Sequence, residues 1–226
     1  MRSRPGEVRR GGAEGPRGFV FELSAGHLSL DFANTIDGRR RAHPRELLTD
    51  YGRLLAWGRQ AGVLSREQVL LCGRAAARSP RVAAGALRRA RALREALFAL
   101  FSANAHGRAV PPAALAALNA ALPRSLSPLR LVRAGRRFDW VRGDGTPDLD
   151  GVLHVVAHAA ADLLTSGPLD RVRECASPTC AWLFLDQSRN ATRRWCDMSV
   201  CGNRAKARRH YRRATTARRR GAPTAR

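Results

Sequence analysis

The sequence predicts an α+β protein: a mainly helical N-terminal domain with a small β component, followed by a short C-terminal finger. Three observations predict it. Apolar residues recur at helical spacing from Arg81 to about Ala105 and again from Asp148 to Thr165. Leu129 to Val141 reads as two short strands around Gly135-Arg136. Four of the five cysteines, Cys175, Cys180, Cys196 and Cys201, fall close together near the C-terminus.

The elements follow in order. Residues 1 to 18 are Arg, Gly, Glu and Pro with almost nothing apolar, and read as a disordered tail. His27 to Thr35 begins with apolar–polar alternation and is expected to be a strand. Leu54, Leu55 and Trp57 predict a helix over Thr49 to Gln60, with Gly62 near its end. Ser65-Arg-Glu-Gln68 is a capping-box pattern, so a second helix starts there and runs through Ala77. Pro80 stops it and opens the next. That helix carries Leu87, Ala90, Leu93, Leu97, Leu100 and Phe101 on one stripe. Pro111 to Leu122 is a short helix expected to end at Pro123. After the 129–141 hairpin and the 148–165 helix, Ser166-Gly-Pro168 marks a domain boundary. The expected division is a tail over 1–18, an α+β domain over 19–168, a finger over 169–214 and a basic disordered tail over 215–226.

Charge is the next signal. Forty-one Lys plus Arg face 18 Asp plus Glu, for a formal net charge of +23. Such a balance favours a polyanionic partner. Residues 171 to 226 carry 15 basic and 3 acidic side chains, net +12, whereas the three-times-longer stretch before them nets only +11. No run of about 18 apolar residues exists, so no membrane-spanning helix is expected, and the first residues lack a secretory signal's apolar core. A cytoplasmic location is the expectation.

The cysteine spacing is Cys175-x4-Cys180-x15-Cys196-x4-Cys201. Four thiolates satisfy one tetrahedral zinc, and two short-spaced pairs let a short chain supply all four corners. The alternatives are four structural thiols or two disulfides. With all corners filled by protein, such a zinc is structural and leaves no position for a substrate. Few large apolar residues lie between Arg171 and Tyr211, so a metal would supply folding free energy that a core cannot. Cys72 stands apart and reads as a buried small hydrophobe.

After Cys201 comes a basic helix. Ala207, His210, Tyr211 and Ala214 share one face as a docking stripe, and Arg204, Lys206, Arg208, Arg209, Arg212 and Arg213 cover the rest. Between Arg204 and Arg220 no acid occurs. These six cations, with Arg193 and Arg194, are the expected nucleic-acid contacts. A regular helix back to Cys201 would point its thiol into the basic arc, so a break is expected at Gly202-Asn203, with Asn203 as N-cap. In the front domain, Asp31, Asn34, Thr35, Arg94, Asn119 and His154 are polar residues in apolar surroundings. They either converge on a small-molecule pocket or cap and bridge elements. His154 and His158 sit at i, i+4 without a third ligand nearby. No GxSxG, P-loop or dinucleotide fingerprint occurs, and no enzymatic activity is expected.

The run Cys-x4-Cys-Ala-Trp-Leu-Phe-Leu-Asp-Gln-Ser-Arg-Asn, then Arg-Arg-Trp-Cys-Asp-Met-x-x-Cys-Gly-Asn-Arg-x-Lys, resembles the CGNR zinc finger, the tetrad being Cys201, Gly202, Asn203 and Arg204. Leu30-Asp-Phe-Ala-Asn-Thr35, Leu54-Leu-Ala-Trp57 and Leu93-Arg-Glu-Ala-Leu97 resemble the ABATE domain that accompanies this finger in bacterial proteins. The resemblance implies a stress-induced transcription regulator: a treble-clef-like finger that binds DNA, and an α+β domain that senses a ligand or partner. The competing expectations are an interaction module that binds RNA or protein, and a small-molecule sensor without direct DNA readout.

Overall fold

The computed structural model describes residues 11–16, 18–126, 129–142 and 147–220. Residues 1–10, 17 and 221–226 of the expected tails lie outside the described residues.

A 26-residue helix is the spine of the molecule, and the sequence explains where it starts and what it buries. This is α4, Pro80–Ala105, with proline in its first turn, where no backbone donor is needed. Ala83, Ala86, Leu87, Ala90, Leu93, Leu97, Leu100 and Phe101 bury one stripe. Around it pack α1 (Leu28–Ala33), α2 (Tyr51–Gln60), α3 (Arg66–Arg78), α5 (Pro112–Leu126) and α6 (Gly151–Thr165). The capping box of α3 forms as expected: Gln68 N donates to Ser65 Oγ at 3.1 Å and Ser65 N to Gln68 Oε1 at 2.7 Å. Gly62, at φ +73°, turns the chain out of α2. Within α2, Gly58 lets α6 approach closely, since a Cβ there would stand 2.8 Å from Val152 Cγ2.

Among the described residues, four two-stranded antiparallel pairs complete the fold: β1 (Gly12–Gly15) with β2 (Gly18–Phe21), β3 (Ile36–Asp37) with β4 (Arg45–Glu46), β5 (Leu129–Ala134) with β6 (Arg137–Arg142), and β7 (Val172–Glu174) with β8 (Leu183–Leu185). The β5–β6 hairpin matches the sequence expectation, with Gly135 at φ +65° in its two-residue turn.

Four expectations are corrected. His27 to Thr35 is not a strand but the short helix α1, capped by the His27 ring, which accepts from Ser29 N. Leu30, Phe32 and Ala33 are buried there, and the Phe32 ring meets Trp57 edge-on at 4.9 Å. Alternation over four residues fits either period, and burial on several sides decides for helix. Pro123 does not end α5, which continues to Leu126. Pro123 and Asn119, four residues before it, are both exposed, where a missing helical bond costs least. Residues 12–15 of the expected tail pair with 18–21, because Phe19 and Phe21 are buried and Gln60 holds Phe21 N and Phe19 O at 2.8 Å each. The last helix, α7, spans Asn203–Arg220 and so includes residues expected in the C-terminal tail.

The core is continuous across the expected boundary at 166–168. Val172 and Leu183 belong to the same buried apolar cluster as Trp57, Leu97 and Phe101. The Asn34 side chain, 149 positions from Leu183, donates to its carbonyl at 2.8 Å and accepts from its N–H at 2.9 Å. Leu185 N donates to Ala25 O at 2.7 Å, and Trp182 Nε1 to Ile36 O at 3.0 Å. The C-terminal hairpin is thus built into the front domain.

Candidate metal centre and nucleic-acid interface

The β7–β8 hairpin brings Cys175 and Cys180 to one corner. Cys175 N donates to Trp182 O at 2.8 Å, and Cys180 N to Ser177 O at 3.2 Å, which closes a tight turn. Ala181, just after the second thiol, is left-handed at φ +65°. Ala176 N donates to Arg194 O at 3.0 Å and ties this corner to the second cysteine pair.

The second pair rides on the entry to α7. Asp197 caps a π-helical turn, Met198–Gly202, by accepting from Val200 N at 3.0 Å. Gly202 N reaches back five residues to Asp197 O at 3.1 Å, the bonding of a widened turn. Asn203 already has right-handed helical angles, so it is not the N-cap. The expected break is instead this wide turn: it shifts the helical phase, so Cys201 faces the other thiols while the chain stays helical. Gly202 is buried against Met198, whose sulfur would lie 2.5 Å from a Cβ.

All four sulfurs are buried and lie within 4.8 Å of one another. Cys180 Sγ to Cys196 Sγ and Cys196 Sγ to Cys201 Sγ are both 3.7 Å. A zinc–sulfur length of ~2.3 Å gives a tetrahedral edge of ~3.8 Å, so these edges fit zinc. A disulfide needs about 2.0 Å, and no cysteine is so paired. Cys175, Cys180, Cys196 and Cys201 therefore form the site of one structural zinc ion. Trp182 and Phe184 wall it, with Trp195 partly buried beside them.

Backbone carbonyls around the cysteines are held by arginines. Arg193 Nε donates to Trp195 O at 2.8 Å, its Nη2 to Cys196 O, and the guanidinium lies 4.6 Å from the Phe184 ring centroid. Arg40, from the front domain, donates to Ser177 O at 3.1 Å and Cys175 O at 3.4 Å and pairs with Glu174. Fully buried Asp186 accepts from Ser188 Oγ at 2.6 Å and from Arg193 N at 2.8 Å. Sequence reasoning missed Arg40 because its partners are some 135 residues away.

The ABATE family model, described as "Putative stress-induced transcription regulator", matches residues 26–167, well over half of the chain. This chain belongs to the ABATE family. The CGNR zinc finger model matches residues 171–214. No curated protein matches the chain.

On the CGNR helix α7, Lys206, Arg209 and Arg212 are exposed, and Arg204 and Arg208 are half-buried. The side chain of Arg213 lies outside the described residues. The stripe expected to dock faces outward instead: Ala207 and His210 are exposed and Tyr211 is 73% exposed. Ala205, with Arg204 and Arg208, turns inward, because the wide turn rotates the helix. Arg194 is exposed, with its guanidinium 5.6 Å from the Trp195 ring centroid. Arg193 is engaged around the zinc loop as described.

The six polar residues singled out in the ABATE domain do not meet in one place. Asp31 accepts from Ala25 N at 2.9 Å; burial pushes its carboxyl up to about 6, against the pull of backbone donors at Ala25 and Ser24. Asn34 bridges to Leu183, and Thr35 Oγ1 donates to Phe32 O at 2.8 Å. Arg94, 3% exposed, clasps Glu46 at 2.6 and 2.8 Å. Asn119 is exposed on α5. Only His154 lines a cleft, of about 300 Å³, between α4, α5 and α6, together with Arg89, Leu93, Ala117, Ala121 and Asp150. Arg89 and Asp150 form a two-pronged ion pair there, and His154 Nδ1 is 2.9 Å from Asp148 Oδ2. The sequence signal for this cleft was the alanine face of α5, whose small side chains leave the space.

Proposed function

We propose that the chain is a cytoplasmic, non-enzymatic transcription regulator that binds DNA through α7. One observation carries the reading. A helix with nine cations and no acid between Arg204 and Arg220 leaves the zinc site by way of the π turn, with Lys206, Arg209 and Arg212 exposed. Unbalanced cations on one helix repel each other, and DNA phosphates relieve that repulsion. Zinc is too deep to touch DNA; its task is to fix the angle at which α7 leaves the ABATE domain. The helix contacts phosphates from its exposed arc and lies in the major groove, whose width admits a helix. No helix among the described residues is long and apolar enough to cross a membrane.

The ABATE domain supplies the input. The cleft beside His154 accepts a small ligand with an apolar body and a polar end directed at Arg89 and Asp150. The experiment for the whole reading is selection of genomic duplex fragments by zinc-loaded protein. Enrichment of fragments sharing a sequence is the expected result. Recovery of the input pool unchanged, or retention of RNA in preference to duplex, contradicts it.

A further inference from the structure

The β5–β6 hairpin is the part of the molecule that the zinc helix does not explain. Every side chain described in it is exposed: Leu131, Val132, Arg133, Arg136, Arg137 and Phe138. Phe138 is 65% and Leu131 54% exposed. Among the described residues its two strands pack mainly on each other. A free two-stranded hairpin is marginal in water, and exposing large apolar side chains makes it more so. Its composition is also lopsided. From Leu129 to Arg142 it carries Arg130, Arg133, Arg136, Arg137 and Arg142 against the single acid Asp139.

The register gives this charge a shape. Arg133 stands directly opposite Phe138, so a cation and an exposed ring share one face, with Leu131 two residues along. Val132 and Arg137 belong to the opposite face. Arg136 sits at the turn, beside the left-handed Gly135. A ribbon of two strands ~4.8 Å apart enters a major groove ~12 Å wide. Arginines on both faces and at the tip would then meet the phosphates on either side. Neither a second copy of this chain nor another basic protein surface complements such a charge.

We infer that the β5–β6 hairpin is a second duplex-DNA contact, with Arg133, Arg136 and Arg137 on phosphates and Phe138 against the groove wall. The inference rests on the reading of α7 as a DNA-binding helix, and extends the footprint from one element to two. Three contacts from the exposed arc of α7, Lys206, Arg209 and Arg212, give a slope of log K against log[salt] of about -2.7; three more from the hairpin steepen it to about -5.4.

The test measures binding of the full zinc-loaded chain to a fluorescein-labelled 30-base-pair duplex across a salt series. Wild type, an Arg133→Ala/Arg136→Ala/Arg137→Ala variant and a Lys206→Ala/Arg209→Ala/Arg212→Ala variant are compared. Zinc content and melting temperature are checked for each. A second hairpin variant, Arg136→Gln, removes one charge at the tip without touching the strand ladder. The triple hairpin variant is expected to flatten the slope by about 2.7, and Arg136→Gln by about 0.9. Hairpin variants with wild-type slope and affinity, beside a weakened helix variant, overturn the hairpin contact and leave the α7 reading standing. A wild type without salt-dependent duplex binding overturns both.

Discussion

Around Trp57 the ABATE domain packs Phe32, Leu97, Leu100 and Phe101, all at 1% exposure or less. Around Cys196 the finger packs three other sulfurs with Trp182 and Phe184, and beyond them little that is apolar. The first region lowers its free energy by removing hydrocarbon from water, at roughly 1.5–3 kcal/mol for each large side chain. The second has too few such side chains and needs a metal bond for the same purpose. The difference teaches how a basic helix can be hung on a hydrophobic core. The β7–β8 half of the finger is part of the hydrophobic core, through Val172, Leu183 and the Asn34 clasp. The Cys196–Cys201 half, with α7, lies outside that core and is tied by the zinc site together with the Arg193 bonds and the Ala176–Arg194 bond. The joint between metal and core therefore runs through the finger itself, not through the 166–168 segment.

The strongest way to break this comparison is to remove the metal. A structural zinc of this kind contributes on the order of 10 kcal/mol or more. Cys196→Ser is expected to abolish zinc binding and to expose residues beyond 186 to hydrogen exchange, while the core around Trp57 keeps its protection. Exchange mass spectrometry checks both halves at once; loss of protection throughout would mean that the two regions are not separable.

Next in size is the clasp between the regions. Asn34→Ala leaves the buried N–H and C=O of Leu183 without partners, and about 3 kcal/mol of stability should go. Urea denaturation measures it, and a change below about 1 kcal/mol would show that the clasp is not what joins finger to core.

A smaller, pH-dependent effect belongs to Asp31. Its folded value of about 6 stands above the unfolded carboxylate range. The folded state therefore holds its proton longer than the unfolded state. Stability from this group is present below about pH 4 and lost as the pH rises through about 6, by up to about 3 kcal/mol. Asp31→Asn should remove this slope; denaturation midpoints at several pH values will show it, and a slope unchanged in the variant would assign the titration elsewhere.

The smallest effect is at the first knuckle. Ala181 holds φ +65°, where a Cβ is unfavourable. Ala181→Gly should leave zinc affinity intact and raise stability by no more than about 1 kcal/mol. A clear loss in thermal melting would mean that the alanine methyl, 1% exposed with its residue, matters more than the strain.

Much of this architecture was legible in the residues, and the unread part has a common cause. Ser65-Gln68, Pro80, Gly62 and Gly135 act within a turn of themselves, so their patterns transfer directly to structure. The four cysteines were legible because zinc demands four donors whatever surrounds them. His27–Thr35 was misread since its alternation is short and its helical state depends on Trp57 and Leu183, far along the chain. The front-domain polar residues were found but not their purpose: Arg94 answers Glu46 and Asn34 answers Leu183, pairings that no spacing encodes. The phase of α7 was missed because a π turn leaves no mark beyond Asp197 and a buried glycine. That phase decides which face carries Tyr211 outward and which arginines reach a partner.

In the proposed function, zinc sets the exit of α7 and thereby makes duplex binding possible. The most direct measurement is duplex binding over a salt series with the same protein zinc-loaded and zinc-stripped. The zinc-loaded chain should bind with a slope of log K against log[salt] of about -5, and stripping the metal should flatten it by about 2.7, the share of the three exposed α7 cations, together with the loss of α7 order. Equal affinity and equal slope with and without zinc would contradict the account.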